Sequence, residues 1–234
     1  MNSGAPPFPI IPFNLIPDKP MTQSIDPQKA NADLKNASPE EILRWAERFS
    51  GGKMMISTNF RPYEAVLLHL AAQIQPRIPV LWVDHGYNTP ATYKCAEATI
   101  AKLNLNVHLY IPKRTAAHRD TVNGGIPSID DEAAHEAFTE EVKLEPFRRG
   151  MAALKPKVWL TALRRVQNPH RESMNVVGLT GDGVIKLCPI LDWTDADMEA
   201  YIQKHDLPNE FNYYDPTKVL EKRECGLHLD SAKL

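Results

Sequence analysis

Cysteine is scarce in this sequence, and its arrangement excludes several classes of site. Only three of the 234 residues are cysteines, and they form neither a CC pair nor a CxxC motif. A disulfide scaffold, a four-cysteine zinc site and a four-cysteine iron–sulfur cluster all need more cysteines at closer spacing. A low cysteine count also favours a reducing compartment. We therefore expect no bound metal or cluster and a cytoplasmic location.

The sequence also lacks an excess of one charge and a long apolar run. It has 27 Lys and Arg against 29 Asp and Glu, a formal net charge of −2, which argues against a broadly basic nucleic-acid binder. No apolar run approaches the roughly 18 residues of a membrane span, and the N-terminus lacks a secretory signal pattern. Hydrophobic residues make up 43% and charged residues 24%, a composition typical of globular proteins. We expect neither nucleic acid nor membrane as a partner.

Proline is concentrated at the N-terminus. Seven of the twenty prolines lie in residues 1–30, where they remove backbone donors and block helix interiors. We predict a disordered Pro-rich extension over residues 1–35, and a start at Met21 would leave residues 1–20 unexpressed. An α/β domain over residues 36–208 and a mobile tail over residues 209–234 complete the predicted organisation.

Helices and strands alternate after residue 38. A capping box with proline at the first helical position begins there, and Gly51 and Gly52 end that helix. Short apolar runs predict strands at 54–56, 78–83, 106–111 and 158–161, with helices between them. A glycine-containing turn at 181–183 predicts a β-hairpin. This alternation predicts an α/β fold with a mainly parallel twisted sheet and helices on both faces.

Three loops follow the predicted central strands, and parallel sheets bind ligands beyond the carboxyl ends of their strands. The loop at 57–61 precedes a helix and has small polar side chains that suit phosphate, although a simple helix cap explains them equally well. The loop at 84–90 begins with Asp84, which could bind a ribose hydroxyl or a metal, or cap the next helix. The loop at 162–175 contains three arginines, which suit phosphate or sulfate but are most often solvated surface residues.

The third cysteine lies in a charged stretch near the C-terminus. Basic side chains and His228 lie near Cys225, and such neighbours favour the nucleophilic thiolate. Cys95 and Cys188 instead lie within a predicted helix and a predicted strand, which is typical of unreactive packing residues. Cys225 is therefore the candidate nucleophile.

These motifs together resemble those of the phosphoadenylyl-sulfate reductase family. The resemblance covers about residues 40–228, and its most specific motif is KRECGLH at 222–228. The other matching segments are 57–60, 84–87, 143–146, 163–165 with Arg171, and 189–193. The resemblance implies an adenine nucleotide α-hydrolase-like fold, related to that of the ATP pyrophosphatases. It implies that Cys225 is catalytic and that the substrate-binding residues are Ser57, Thr58, Asn59, Phe60, Asp84, Gly86, Tyr87, Arg164, Arg165, Arg171 and His228.

The resemblance also implies a thiol mechanism in assimilatory sulfate reduction, on the way to cysteine. The Cys225 thiolate would attack the sulfuryl sulfur of 3′-phosphoadenylyl sulfate and form an S-sulfocysteine. Thioredoxin or glutaredoxin, the external electron donor, would then release sulfite. The resemblance implies no bound cofactor and suggests a homodimer.

Two departures from the family pattern keep alternatives open. The adenylyl-sulfate branch usually holds a four-iron cluster on a CC pair and a CxxC motif, and their absence here favours the 3′-phosphorylated substrate. The segment at 209–220 is shorter than usual, so a cluster-free reductase of unphosphorylated adenylyl sulfate is the main alternative. An ATP pyrophosphatase-type enzyme ranks lower because the loop at 57–61 lacks the Ser-Gly-Gly-x-Asp-Ser pattern. A non-catalytic nucleotide-binding protein ranks lower because Cys225 and the three arginines are present.

Overall fold

The computed structural model describes residues 25–218, which form one six-stranded sheet flanked by helices. The strands are β1 Met54–Thr58, β2 Pro79–Val83, β3 Asn106–Tyr110, β4 Val158–Leu160, β5 Val177–Leu179 and β6 Ile185–Leu187. Their order is β3-β2-β1-β4-β6-β5, and the pairs are parallel apart from the antiparallel β5–β6 hairpin. The predicted α/β fold, its mainly parallel sheet and the hairpin are confirmed.

The helices lie mostly between successive strands. Those of the described residues are α1 Pro27–Asp33, α2 Pro39–Ser50, α3 Glu64–Ile74, α4 Pro90–Leu103, α5 Ala116–Asn123, α6 Glu132–Thr139, α7 Glu145–Leu154 and α8 Asp195–His205. A π-helical turn, Glu140–Leu144, joins α6 to α7. None of these helices has the length and apolar character needed to cross a membrane.

Helices cover both faces of the sheet because successive strand residues point to opposite sides. Met54 and Ile56 of β1 belong to a large cluster with buried residues of α2, α3, α4 and α8. Met55 between them belongs to a second cluster with Trp159 of β4 and Phe147 of α7. The alternation within β1 therefore divides the core into two layers.

Residues 27–33 correct one prediction, because they form α1 inside the segment expected to be disordered. Asp26 caps the helix through its carboxylate, and Pro27 lies in the first turn, where proline is tolerated. Asn31 exchanges two hydrogen bonds of 2.8 and 2.9 Å with the backbone of Val177 in β5. Residues 1–24 and 219–234 lie outside the described residues, so the remaining domain limits stay predictions.

The strand order reverses at β1, and this reversal locates the ligand crevice. β2 and β3 lie on one side of β1, whereas β4 lies on the other. Connections that leave β1 and β4 therefore diverge at the carboxyl edge of the sheet. In open α/β sheets, ligands bind in the crevice at such a switch point, here between the loops that follow β1 and β4.

Candidate active site

A cleft occupies this crevice. The end of β1 and the loop that follows it form one wall, and residues 161–163, which follow β4, form the opposite wall. Lys143, Arg171 and Lys218 also line the cleft. Hydroxyl groups on one side and cationic side chains around them suit a ligand with several negative charges.

Glu64 holds the β1 loop in shape from the start of α3. Its Oε2 accepts hydrogen bonds from Thr58 Oγ1 at 2.7 Å and from the Asn59 N–H at 2.8 Å. Its Oε1 accepts from Arg61 Nε at 2.8 Å, and Arg61 also donates to the Ala162 carbonyl on the opposite wall at 3.3 Å. Glu64 is only 7% exposed. The sequence analysis missed Glu64, although an acidic residue in a first helical turn after a polar loop was an available signal.

The predicted residues of this loop divide into two groups. Ser57, Thr58 and Asn59 line the cleft, and Ser57 Oγ accepts a hydrogen bond of 2.8 Å from the Trp159 indole N–H. Phe60 is buried and packs edge-on against Trp82, with ring centroids 4.8 Å apart. Phe60 also has a left-handed backbone with φ 52°, a strained conformation that its buried ring holds in place.

Asp84 is engaged within its own loop. Its Oδ1 accepts hydrogen bonds from the Gly86 N–H at 2.9 Å, from Asn88 Nδ2 at 2.9 Å and from the Tyr93 hydroxyl at 2.8 Å. Burial and the bond to Asp84 raise the pKa of Tyr93 to about 12. Asp84 thus stabilises the turn, and it does not cap α4, because Thr89 accepts from the Thr92 N–H there at 3.0 Å.

Gly86 and Tyr87 complete that turn. Gly86 has φ 82°, and an added Cβ would lie 3.1 Å from the Ala116 Cβ, so a larger residue is disfavoured for two reasons. The Tyr87 hydroxyl donates to Asp120 at 2.7 Å. Asp84, Gly86 and Tyr87 are not among the described residues that form the cleft wall, so their ligand roles stay predictions.

Of the three predicted arginines, the structure brings Arg171 to the cleft. Arg171 is 5% exposed and donates to the Gln167 side chain. Arg164 is also buried, but its Nη2 donates to Asp195 at 2.6 Å and its guanidinium lies 5.4 Å from the ring centroid of Tyr63. Arg164 thus stabilises the start of α8, and its substrate contact stays a prediction.

Arg165 stabilises the loop at 162–175. Its Nε donates to Asp192 at 2.5 Å, and its Nη1 donates to the carbonyl oxygens of Glu172 and Met174. These contacts join the start and the end of the arginine loop. Arg165 does not line the cleft among the described residues, so its substrate contact also stays a prediction.

A buried ion pair adjoins the cleft, and the sequence analysis missed it. Lys143, 1% exposed, donates to Asp215 Oδ2 and to Thr217 Oγ1. Thr217 donates to Asp215 Oδ1 through its N–H at 3.0 Å and its hydroxyl at 2.6 Å. Burial alone would raise the pKa of Asp215, but the Lys143 ammonium and these hydrogen bonds outweigh burial and hold the pKa well below its usual value. Burial lowers the pKa of His85, which is near enough to both charges to interact electrostatically.

The two described cysteines are unsuited to nucleophilic attack. Cys95 lies in α4, and Cys188 is buried with Sγ 3.2 Å from Thr161 Oγ1. Burial raises the pKa of both thiols, which disfavours the thiolate. The predicted catalytic Cys225 and the predicted ligand His228 lie outside the described residues. Within residues 25–218, no group of three or more His, Cys, Asp or Glu side chains could hold a metal ion.

Comparisons of the sequence with known proteins identify its family. The family model described as "Phosphoadenosine phosphosulfate reductase domain" matches residues 53–213. A phosphoadenosine 5′-phosphosulfate reductase of Synechococcus sp. is 35% identical over 222 residues, covering 85% of this chain and 95% of the relative.

Two solved structures share the fold. The phosphoadenylyl-sulfate reductase of Candida auris, solved as a phosphate complex, has a TM-score of 0.68 and 24% identity, over 78% of this chain and 86% of that one. The NH3-dependent NAD synthetase of Campylobacter jejuni has a TM-score of 0.52 and 11% identity, over 80% and 76% of the two chains. These similarities confirm the predicted adenine nucleotide α-hydrolase-like fold.

Proposed function

This chain belongs to the phosphoadenosine phosphosulfate reductase family, and we propose that it reduces 3′-phosphoadenylyl sulfate to sulfite and adenosine 3′,5′-bisphosphate. The observation that supports the proposal most directly is the cleft between β1 and β4. Ser57 and Thr58 line this cleft together with Lys143, Arg171 and Lys218. A sulfonucleotide has negative phosphate and sulfate groups, which complement this set of donors and charges.

The chemistry starts with the thiolate of Cys225. The thiolate sulfur bonds to the sulfuryl sulfur, and the bond between that sulfur and the bridging oxygen breaks. Adenosine 3′,5′-bisphosphate leaves with the electron pair on its oxygen. Cationic side chains around the cleft stabilise the charge that develops on this leaving group. The product on the enzyme is an S-sulfocysteine.

A thiol carrier completes the reaction. The carrier thiolate attacks the Cys225 sulfur, and sulfite leaves with the electron pair of the sulfur–sulfur bond. A second carrier thiol then attacks the mixed disulfide and releases the Cys225 thiolate. Two carrier thiols become one disulfide, and their two electrons reduce the sulfuryl group to sulfite. Thioredoxin or glutaredoxin is the proposed carrier, and we propose a cytoplasmic homodimer.

The short segment before the tail is compatible with this mechanism. Lys218 lines the cleft, and Cys225 follows it by seven residues. An extended chain spans at most about 3.3–3.6 Å per residue, so a stretch of seven residues can extend up to roughly 25 Å.

Mass spectrometry of the enzyme with nucleotide and no reductant tests the proposal. We expect 3′-phosphoadenylyl sulfate to add the mass of one sulfo group to the peptide that contains Cys225, and adenylyl sulfate to add little. Cys225→Ser should abolish the adduct and sulfite release, whereas the matched control Cys95→Ser should retain both. An adduct formed equally well from both nucleotides would contradict the assigned substrate, and its absence with both would contradict the mechanism.

A further inference from the structure

The segment that follows α8 is tied to the first residues of α3 and α4. We call residues 207–218 the connector. Asn209 Oδ1 accepts a hydrogen bond of 2.8 Å from the Tyr63 N–H, directly before α3. The Asn212 carbonyl accepts from the Thr89 hydroxyl at 2.7 Å, at the start of α4. The connector therefore runs over the N-termini of two helices that follow sheet strands.

The end of the connector is held more deeply than its beginning. Asp215 and Thr217 are 6% and 5% exposed, and both bind the buried Lys143. Between them, the Pro216 carbonyl lies 3.0 Å from Nε2 of the buried His135 in α6. The next residue, Lys218, lines the cleft. The chain thus enters a buried polar site immediately before it reaches the substrate cleft.

Burying an ion pair of this kind costs free energy. Removing Lys143 and Asp215 from water carries a desolvation penalty that their attraction does not always exceed, and the best-attested use of such pairs is to fix a unique arrangement. Here four hydrogen bonds hold residues 215–217, directly before Lys218: two come from Lys143, one joins His135 to Pro216, and one joins Thr217 to Asp215.

We propose that Asp215 is a positioning residue, which together with Thr217 and His135 fixes the point from which the chain runs to Cys225. The inference rests on the proposed function, because it assigns the attacking thiol to Cys225. When the hydrogen bonds of residues 215–217 are intact, the last fixed residue is Thr217, eight positions before Cys225. When they are lost, the nearest preceding residue held by a hydrogen bond described above is Asn212, thirteen positions before Cys225. Effective concentration falls as about the −3/2 power of tether length, which alone lowers the attack rate roughly twofold. Loss of the fixed direction of departure adds to that fall.

The test measures single-turnover formation of the S-sulfocysteine on Cys225 in the full-length protein, with saturating 3′-phosphoadenylyl sulfate and no reductant. We expect Asp215→Asn, His135→Leu and Thr217→Val each to lower this rate at least threefold, and Thr217→Ser to restore it. The dissociation constant of adenosine 3′,5′-bisphosphate should stay within twofold of the wild-type value. The matched control is Asp206→Asn, since Asp206 also pairs with a lysine but at the surface.

A second readout separates positioning from a change in the thiol itself. Alkylation of Cys225 by iodoacetamide needs no bound nucleotide, so its rate should be the same in all variants. Wild-type adduct rates in the three variants would overturn the inference, as would alkylation that slows in parallel or nucleotide affinity that falls by the same factor as the rate. Absence of the adduct in the wild-type protein would instead contradict the proposed function.

Discussion

Replacing Glu64 with glutamine removes the charge that organises the β1 loop and keeps the shape of the side chain. The carboxylate accepts from Thr58, Asn59 and Arg61. A glutamine presents only one oxygen, so its NH2 group must face either Arg61 or the other two donors. In the better orientation, one hydrogen bond is lost and Arg61 loses its charged partner.

The size of the effect follows from the burial of the pair. The side chains of Arg61 and Glu64 are 15% and 8% exposed, so solvent screening is weak. A hydrogen bond to a charged group contributes about 1.5–3 kcal/mol, and we expect Glu64→Gln to reduce the free energy of unfolding by about 2–3 kcal/mol. For a domain of this size that corresponds to a fall in Tm of roughly 5–10 °C.

The same substitution should weaken nucleotide binding, because Thr58 and Asn59 line the cleft. We expect the Kd for adenosine 3′,5′-bisphosphate to rise about tenfold, which is equivalent to about 1.4 kcal/mol. Thermal unfolding and isothermal titration calorimetry measure the two effects. The control is Glu145→Gln, because Glu145 pairs with Arg149 near the surface and such pairs contribute less than about 1 kcal/mol. Equal effects of the two substitutions on Tm and Kd would refute the role assigned to Glu64.

Three further outcomes follow from the packing and the charges. Gly150→Ala should lower Tm, because the added Cβ would lie 2.5 Å from a leucine methyl carbon of β2. Overpacking costs about 1–3 kcal/mol, which exceeds the helical preference for alanine over glycine of about 1 kcal/mol. A higher Tm would contradict this. Lys143 and Thr217 depress the pKa of Asp215 against the effect of burial. The Asp215 carboxylate therefore stabilises the fold at pH values above its unfolded pKa of about 3.9. This contribution to stability is lost as the pH falls from there towards the folded pKa. Urea denaturation should therefore show that the stability difference between wild type and Asp215→Asn shrinks below about pH 4, and a constant difference would be inconsistent with the ion pair. Arg171→Gln should raise the nucleotide Kd, measured by calorimetry, at least five times more than Arg165→Gln does. The reason is that, within the described residues, Arg171 lines the cleft and Arg165 does not. The reverse ranking would contradict this placement.

Local signals in the sequence were enough to predict the sheet and the strand ends at which the cleft lies. The apolar runs that form β1 and β2 and the capping box at Ser38 depend on neighbouring residues, and the structure confirms them. The general rule for ligand position in parallel sheets directed attention to the carboxyl ends of β1 and β4, where Ser57 and Arg171 line the cleft; their contacts with substrate stay predictions. Ser57 is the last residue but one of β1 and Arg171 lies in the segment that follows β4, so their placement follows from the sheet topology.

Contacts between distant segments were not predictable in the same way. Lys143 and Asp215 are separated by 72 positions, and no local pattern shows that the connector returns to α6 and the π-helical turn. The partners of Arg164 and Arg165 illustrate the same limit, since Asp195 and Asp192 lie in a segment that the fold alone brings alongside. Arginine composition predicted an anion site, but the tertiary structure decided which guanidinium groups were already occupied.

The hydrogen bond between Trp159 and Ser57 provides the site with an optical reporter. The indole is buried in β4, stacks at an angle on Phe147 with centroids 5.1 Å apart, and donates its N–H to a hydroxyl that lines the cleft. An anion that binds Ser57 changes the electric field along that N–H bond and with it the emission of the indole. With the other three tryptophans replaced, fluorescence from Trp159 is expected to report occupation of the cleft without a label on protein or nucleotide.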